Sequence, residues 1–229
     1  MRKFVSSSLV FVFAIIFAPI HTTNAQTAGL VSSIIQKMER NRATLSSLRS
    51  GIWMEKHNAQ IGVDDITQGV MIYAPNKGRN VSVRVDWQQP QRETLAVQDG
   101  KYTLCRPRLS QCYVGSANSK NNKVSNVLGF GLNVSGSQLR SNFEPPQLLQ
   151  FMNLDGRQVA HLRLVPKGNA GYKFAEIWVD NNTGMPVATK VVERNGDWTT
   201  VKLVNPQRNA QVNGNEFRLD TNGAKLIKS

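Results

Sequence analysis

Between Val81 and Trp87 the chain reads Val-Ser-Val-Arg-Val-Asp-Trp, apolar and polar residues in unbroken alternation. Successive side chains of an extended strand point to opposite faces. Val81, Val83, Val85 and Trp87 therefore share one face, with Ser82, Arg84 and Asp86 on the other. Such a strand belongs to an antiparallel sheet that buries one face and wets the other. Ala160, Leu162 and Leu164 repeat the pattern, opposite His161 and Arg163, and this reading leaves His161 solvated. Turn residues separate the runs at Asp99-Gly100, Asp155-Gly156, Asn182-Thr183-Gly184 and Asn195-Gly196, so hairpins are predicted. About ten or eleven strands follow, with starts near Gly51, Gly69, Val81, Arg92, Lys101, Gln111, Arg157, Tyr172, Pro186 and Trp198. A last one is predicted near Phe217.

Two stretches depart from the two-residue period. Leu30, Val31, Ile34, Ile35 and Met38 recur at helical spacing opposite Gln36, Lys37, Glu39 and Arg40, which predicts an amphipathic helix from about Ala28 to Arg42. Ser116 to Gln150 is rich in Ser, Asn and Gly yet holds Val127, Leu128, Phe130, Leu132, Leu139, Phe143, Leu148 and Leu149. Short helices suit that mixture better than a strand. The predicted class is mainly β, with helices covering one face of a curved sheet. No repeat or linker divides the chain, so one domain is expected.

The first residues have the layout of a secretory leader. Arg2 and Lys3 precede an apolar run from Leu9 to Ile20, and Thr23-Asn24-Ala25 offers small residues where a signal peptidase reads. Cleavage after Ala25 would leave residues 26–229 as the domain, exported to the periplasm. The run is short for a spanning helix, which needs roughly 20 residues. Losing Arg2 and Lys3 lowers the formal net charge from +13 to +11. Export and the scatter of the basic residues argue against nucleic acid. They favour anionic lipid headgroups, lipopolysaccharide or acidic proteins as partners of this surface.

Export also decides how the only two cysteines are read. In an oxidising compartment a nearby pair closes into a disulfide, and Tyr102–Cys105 and Cys112–Val114 read as two strands around Pro107. Facing Cβ atoms on paired strands lie about 4.5–5.5 Å apart, so Cys105 and Cys112 are predicted to staple one hairpin. Metal binding would need further ligands, and beyond the leader the chain offers only His57 and His161. No phosphate-binding glycine loop, zinc helix motif or nucleophile elbow occurs. Asp64 and Asp65 are neighbours that a strand would point to opposite faces. No cofactor is called for, and an enzyme is not the reading the residues favour.

From Ala175 to Leu219 the order of features is distinctive. A strand runs into Trp178-Val179-Asp180, followed by a turn to Met185-Pro186 and then Asn195-Gly196-Asp197-Trp198. Asn209-x-x-Val212 steps into Glu216-Phe217. With the upstream Asp99-Gly100-Lys101 strand and its Pro-containing hairpin, this resembles the bacterial outer-membrane lipoprotein carrier family, the LolA-like proteins. The resemblance implies a strongly curved, unclosed antiparallel β-barrel of about 11 strands, with helices as a lid on its concave, apolar face. It implies a monomeric carrier of lipoprotein or lipid acyl chains, passing cargo from an inner-membrane donor to an outer-membrane acceptor. The lipid-facing residues would then be Val81, Val83, Val85, Trp87, Leu162 and Leu164 on strands. Val127, Leu128, Phe130, Leu148, Leu149 and Phe151 would serve as lid residues. One departure stands out. Relatives carry an Arg-Pro pair after an early strand, the arginine tying the lid, whereas here Ala74 precedes Pro75, leaving Lys77 or Arg79 as substitutes. A lipid-sensing or protein-binding envelope regulator on the same fold is the alternative, and an envelope enzyme the third.

Overall fold

The computed structural model describes residues 23–76, 81–117, 132 and 134–228. Helix α1 spans Thr23–Thr44, longer at both ends than its apolar stripe requires. Val31, Ile34, Ile35 and Met38 are buried, whereas Leu30 is 46% exposed and stands outside the stripe. Complete burial of those four side chains is worth roughly 6–12 kcal/mol before ordering entropy is subtracted. A second helix, α2 (Gly136–Asn142), is closed at its start by a capping box. The Ser135 hydroxyl accepts from the Gln138 amide at 3.1 Å, and Gln138 Oε1 accepts from the Ser135 amide at 2.9 Å.

Among the described residues, twelve strands form one sheet. The first six are β1 (Leu48–Asn58), β2 (Val63–Pro75), β3 (Val81–Gln89), β4 (Glu93–Gln98), β5 (Lys101–Arg106) and β6 (Gln111–Ser116). The others are β7 (Gln147–Leu154), β8 (Arg157–Leu164), β9 (Tyr172–Asp180), β10 (Pro186–Glu193), β11 (Trp198–Arg208) and β12 (Lys225–Lys228). Their spatial order is β12-β6-β5-β4-β3-β2-β1-β11-β10-β9-β8-β7. All pairings are antiparallel except β12 with β6. The sheet is curved and unclosed, and among the described residues β12 and β7 are its edge strands. Each half of the chain makes a meander, and the long β1–β11 pairing joins the two.

The predicted turns are present. Asp99-Gly100 and Asp155-Gly156 have positive φ at both residues, 51° and 73° in the first and 50° and 79° in the second. That geometry matches the right-handed twist of the flanking strands and favours Asx-Gly. Gly184 has φ 71°, and a Cβ there would fall 2.3 Å from the Lys37 carbonyl oxygen. Helix α1 thus lies against the β9–β10 turn because that turn has no side chain at its closest point.

Three expectations are corrected. Leu148, Leu149 and Phe151 lie on strand β7, not on a lid helix. That strand pairs along β8, and hydrogen bonding to a neighbour outweighs the weak helical spacing of its apolar residues. The residues before Phe217 form a 3₁₀ turn, Gly214–Phe217, and the last strand comes later, at β12. His161 is buried rather than solvated, for reasons given below.

Candidate functional site

Register fixes which side chains share the face that carries α1. Leu162 pairs with Ile177, Ile177 with Thr189, Thr189 with Val201 and Val201 with Met54. Along β1 the same parity holds Leu48, which pairs with Tyr73, and Tyr73 leads through Val83 to Val97 and Tyr102. One apolar face therefore runs without reversal from β8 to β5. Over β8 and β9 it is filled by Val31, Ile34, Ile35 and Met38 of α1 and by Leu139 of α2. Across β1 to β4 it is filled largely by strand residues, among them Ile52, Met54, Met71, Tyr73, Val83, Val85, Trp87, Leu95 and Val97.

Most of the residues named from sequence lie on this face. Val83, Val85, Leu162 and Leu164 are fully buried, Trp87 is nearly so and Val81 is half-buried. Leu148 packs partly against the helix-covered cluster. Phe151 pairs with Ala160 and so stands on the same face at the sheet's margin, 47% exposed, while Leu149 sits at a bulge and is 41% exposed. Val127, Leu128 and Phe130 lie outside the described residues, as do Lys77 and Arg79. Ala74 and Pro75 end β2.

The polar ties of the helices to the sheet were missed in the sequence. Lys37 Nζ donates to the Asn181 carbonyl at 2.8 Å and to Asn181 Oδ1 at 3.0 Å. The Gly136 amide at the start of α2 donates to Glu39 Oε1. Arg208 Nη2 donates to the Thr44 hydroxyl at 3.0 Å. Lys37 and Glu39 read as the solvated side of α1, and nothing local marks their partners more than ninety residues away. Ile52 and Met54 gave no such signal, because Trp53 stands between them and breaks the alternation of apolar and polar residues; their burial comes from the fold. Tyr73 is 3% exposed, and burial pushes its phenol up to about 12, with Arg42 pulling the other way.

The opposite face carries the chemistry-bearing side chains. His161 Nε2 lies 3.1 Å from Glu176 Oε2, its ring stacks on Trp178 at 4.2 Å, and Arg163 closes on Glu176 Oε1 at 2.7 Å. These neighbours bury the imidazole on a face that alternation alone would leave wet. Lys190 stands over Trp198 at 4.1 Å and Lys202 over Trp53 at 4.5 Å. His57 Nδ1 meets Asp64 Oδ1 at 2.6 Å, so that aspartate belongs to a surface pair. A shallow groove of about 640 Å³ lies on this side, around Gly51, Val70 and Val204 and between the Arg49–Glu216 and Arg84–Asp86 ion pairs. Two hydrogen bonds, from the Asn213 amide and from Arg49, hold the Glu216 carboxyl below the usual range. Among the described residues, no group of three or more His, Cys, Asp or Glu could hold a metal ion. Cys105 and Cys112 face each other across β5 and β6 as a disulfide, with Cα atoms 4.1 Å apart.

Several solved structures share the fold. The complex of Pseudomonas aeruginosa MucA and MucB aligns with a TM-score of 0.54 at 13% identity, covering 86% of this chain and 63% of that one. The chain thus spans less than two thirds of the MucB length. An uncharacterised conserved protein from Thermus thermophilus aligns with a TM-score of 0.57 at 10% identity, over 87% of this chain and 99% of that one. LprF from Mycobacterium bovis gives 0.52 at 10% identity, over 81% and 95%. No curated protein matches. The sequence model of the outer membrane lipoprotein carrier protein LolA matches residues 64–220, more than half of the chain. That match begins in β2 and takes in every later strand but the last. The chain belongs to the LolA family of outer membrane lipoprotein carrier proteins.

Proposed function

We propose that the chain is a periplasmic carrier that shields the acyl chains of a lipoprotein, or of another lipid, between the α1-bearing face of its sheet and the helices above it. The observation that carries this reading is the single apolar face running from β8 to β5, with α1 and α2 packed over only its β8–β9 end. Each acyl CH₂ left in water costs about 0.8 kcal/mol, so a lipid anchor crosses an aqueous space only under cover. Cover that must also release its cargo favours helices held by a few polar ties over a solid core. Val81, Val83, Val85, Trp87, Leu162, Leu164, Leu148 and Phe151 would line the path. An inner-membrane donor and an outer-membrane acceptor would load and unload it. No helix among the described residues is long and apolar enough to cross a membrane. We read the chain as a binding protein rather than an enzyme. Mass spectrometry of lipids that co-purify with the native protein tests the proposal. Acyl-bearing species in stoichiometric amount support it, and lipid-free protein that takes up no fatty acid or lipopeptide overturns it.

A second reading draws on MucB, solved in complex with MucA. On that reading the chain binds a protein partner as an envelope regulator. It is favoured if the protein co-purifies with one stoichiometric polypeptide that carries no lipid.

A further inference from the structure

Among the described residues, the two edges of the sheet are unlike. β12 is four residues long and carries Lys225 and Lys228. Short length and lysines are ordinary guards against pairing with other chains. β7 spans eight residues, Gln-Leu-Leu-Gln-Phe-Met-Asn-Leu, without a single charge. None of its residues is buried, while β8 behind it buries five. On a chain of net charge +13, this is the strand where guarding lysines would be easiest to place, and none is there. An uncharged, exposed edge strand is a template for main-chain pairing.

We propose that β7 receives an extended polypeptide segment by strand addition, and that this segment is the stretch of the cargo lipoprotein next to its acylated end. The inference rests on the carrier reading and names the second half of its ligand. Leu148 pairs with Leu162 and Phe151 with Ala160, so β7 forms the margin of the proposed lipid face. α1 also lies against β7. A chain leaving acyl groups held under α1 passes over this edge. A second copy of the protein fits less well. The bulge between Leu148 and Gln150 leaves the strand regular only from Gln150 to Leu154. That length matches a single added strand of ordinary size, and like charge opposes self-association. Side chains of the segment facing Phe151 should be apolar and the alternate ones polar.

The test uses the full mature chain and three probes: a diacylglyceryl-cysteine, the same group followed by ten alternating valines and threonines, and that lipopeptide N-methylated at alternate residues. The peptide portion should tighten binding about tenfold over the acylated cysteine alone. N-methylation should remove the gain, and β7 amides should exchange more slowly with the unmethylated lipopeptide. The Gln150→Lys variant, on the exposed side of β7 away from Phe151, should lose the gain while melting and acyl-cysteine binding stay unchanged. Leu226→Lys, at the other edge, should lose nothing. Equal affinity of methylated and unmethylated lipopeptides overturns strand addition and leaves the carrier reading intact. Concentration-dependent protection of β7 without any probe assigns the edge to a second copy and also overturns it. Failure of the acylated cysteine to bind counts against the carrier reading alone. If the peptide still protects β7 in that case, the edge stands as a polypeptide site.

Discussion

The two ends of the apolar face are built differently. Over β8 and β9 the strands contribute small and medium residues, Ala160, Leu162, Leu164, Ala175, Ile177 and Val179, and α1 fills the space above them. Across β1 to β4 the strands supply larger ones, Met54, Met71, Tyr73 and Trp87. There the buried described residues from outside the strands are only Leu45, Leu132 and Met185. A helix docked on a sheet needs a shallow bed, whereas a sheet that curls over itself fills its hollow with its own side chains. On the carrier reading the β8–β9 strands would form a fixed wall beneath α1, and the hollow of β1 to β4 the space into which acyl chains extend.

The largest expected effect tests that contrast directly. Leu162→Asn buries an amide in the fixed wall and should cost roughly 3–5 kcal/mol in denaturant unfolding. Val83→Asn should cost roughly half as much, and should abolish lipid uptake. Equal losses at both positions, with no lipid bound by the parent, would erase the distinction and the carrier reading with it.

Tyr73 sharpens the comparison from the other end. Its phenol is raised from 10.0 to about 12 by burial, so the folded state holds the proton more tightly than the unfolded chain. The associated stability is complete below pH 10 and is lost as pH rises from 10 to about 12. Two pKa units correspond to about 3 kcal/mol. Tyr73→Phe should flatten the alkaline limb of the stability profile, and an unchanged limb would show that this end is already wet.

The hairpin beyond β4 should contribute somewhat less. Removing the Cys105–Cys112 link by a double serine substitution opens a short loop, worth roughly 2–3 kcal/mol at most. Alkylation of the unreduced protein should find no thiol. The smallest effect concerns the helix ties. Lys37→Met removes two hydrogen bonds to Asn181 and should cost about 1 kcal/mol. It should also speed lipid release, measured by fluorescent fatty-acid dissociation, which a change at an inert surface site would not do.

What could be read without the structure was whatever local backbone chemistry dictates. Alternation from Val81 to Trp87 and from Ala160 to Leu164 placed those residues on the right faces, because strand side chains have a period of two wherever the strand lies. Asp99-Gly100 and Asp155-Gly156 made hairpins because their backbones tolerate positive φ. The facing of Cys105 and Cys112 followed from one short hairpin. Tertiary structure decided the rest. Gln147 to Leu154 has no strong period of its own and becomes a strand only by pairing with β8. His161 is buried because Trp178 and Glu176 arrive from the next strand. Lys37 ties the helix because folding brings Asn181 to it from 144 residues away. Such contacts depend on which strands lie side by side, an order that no window of sequence contains.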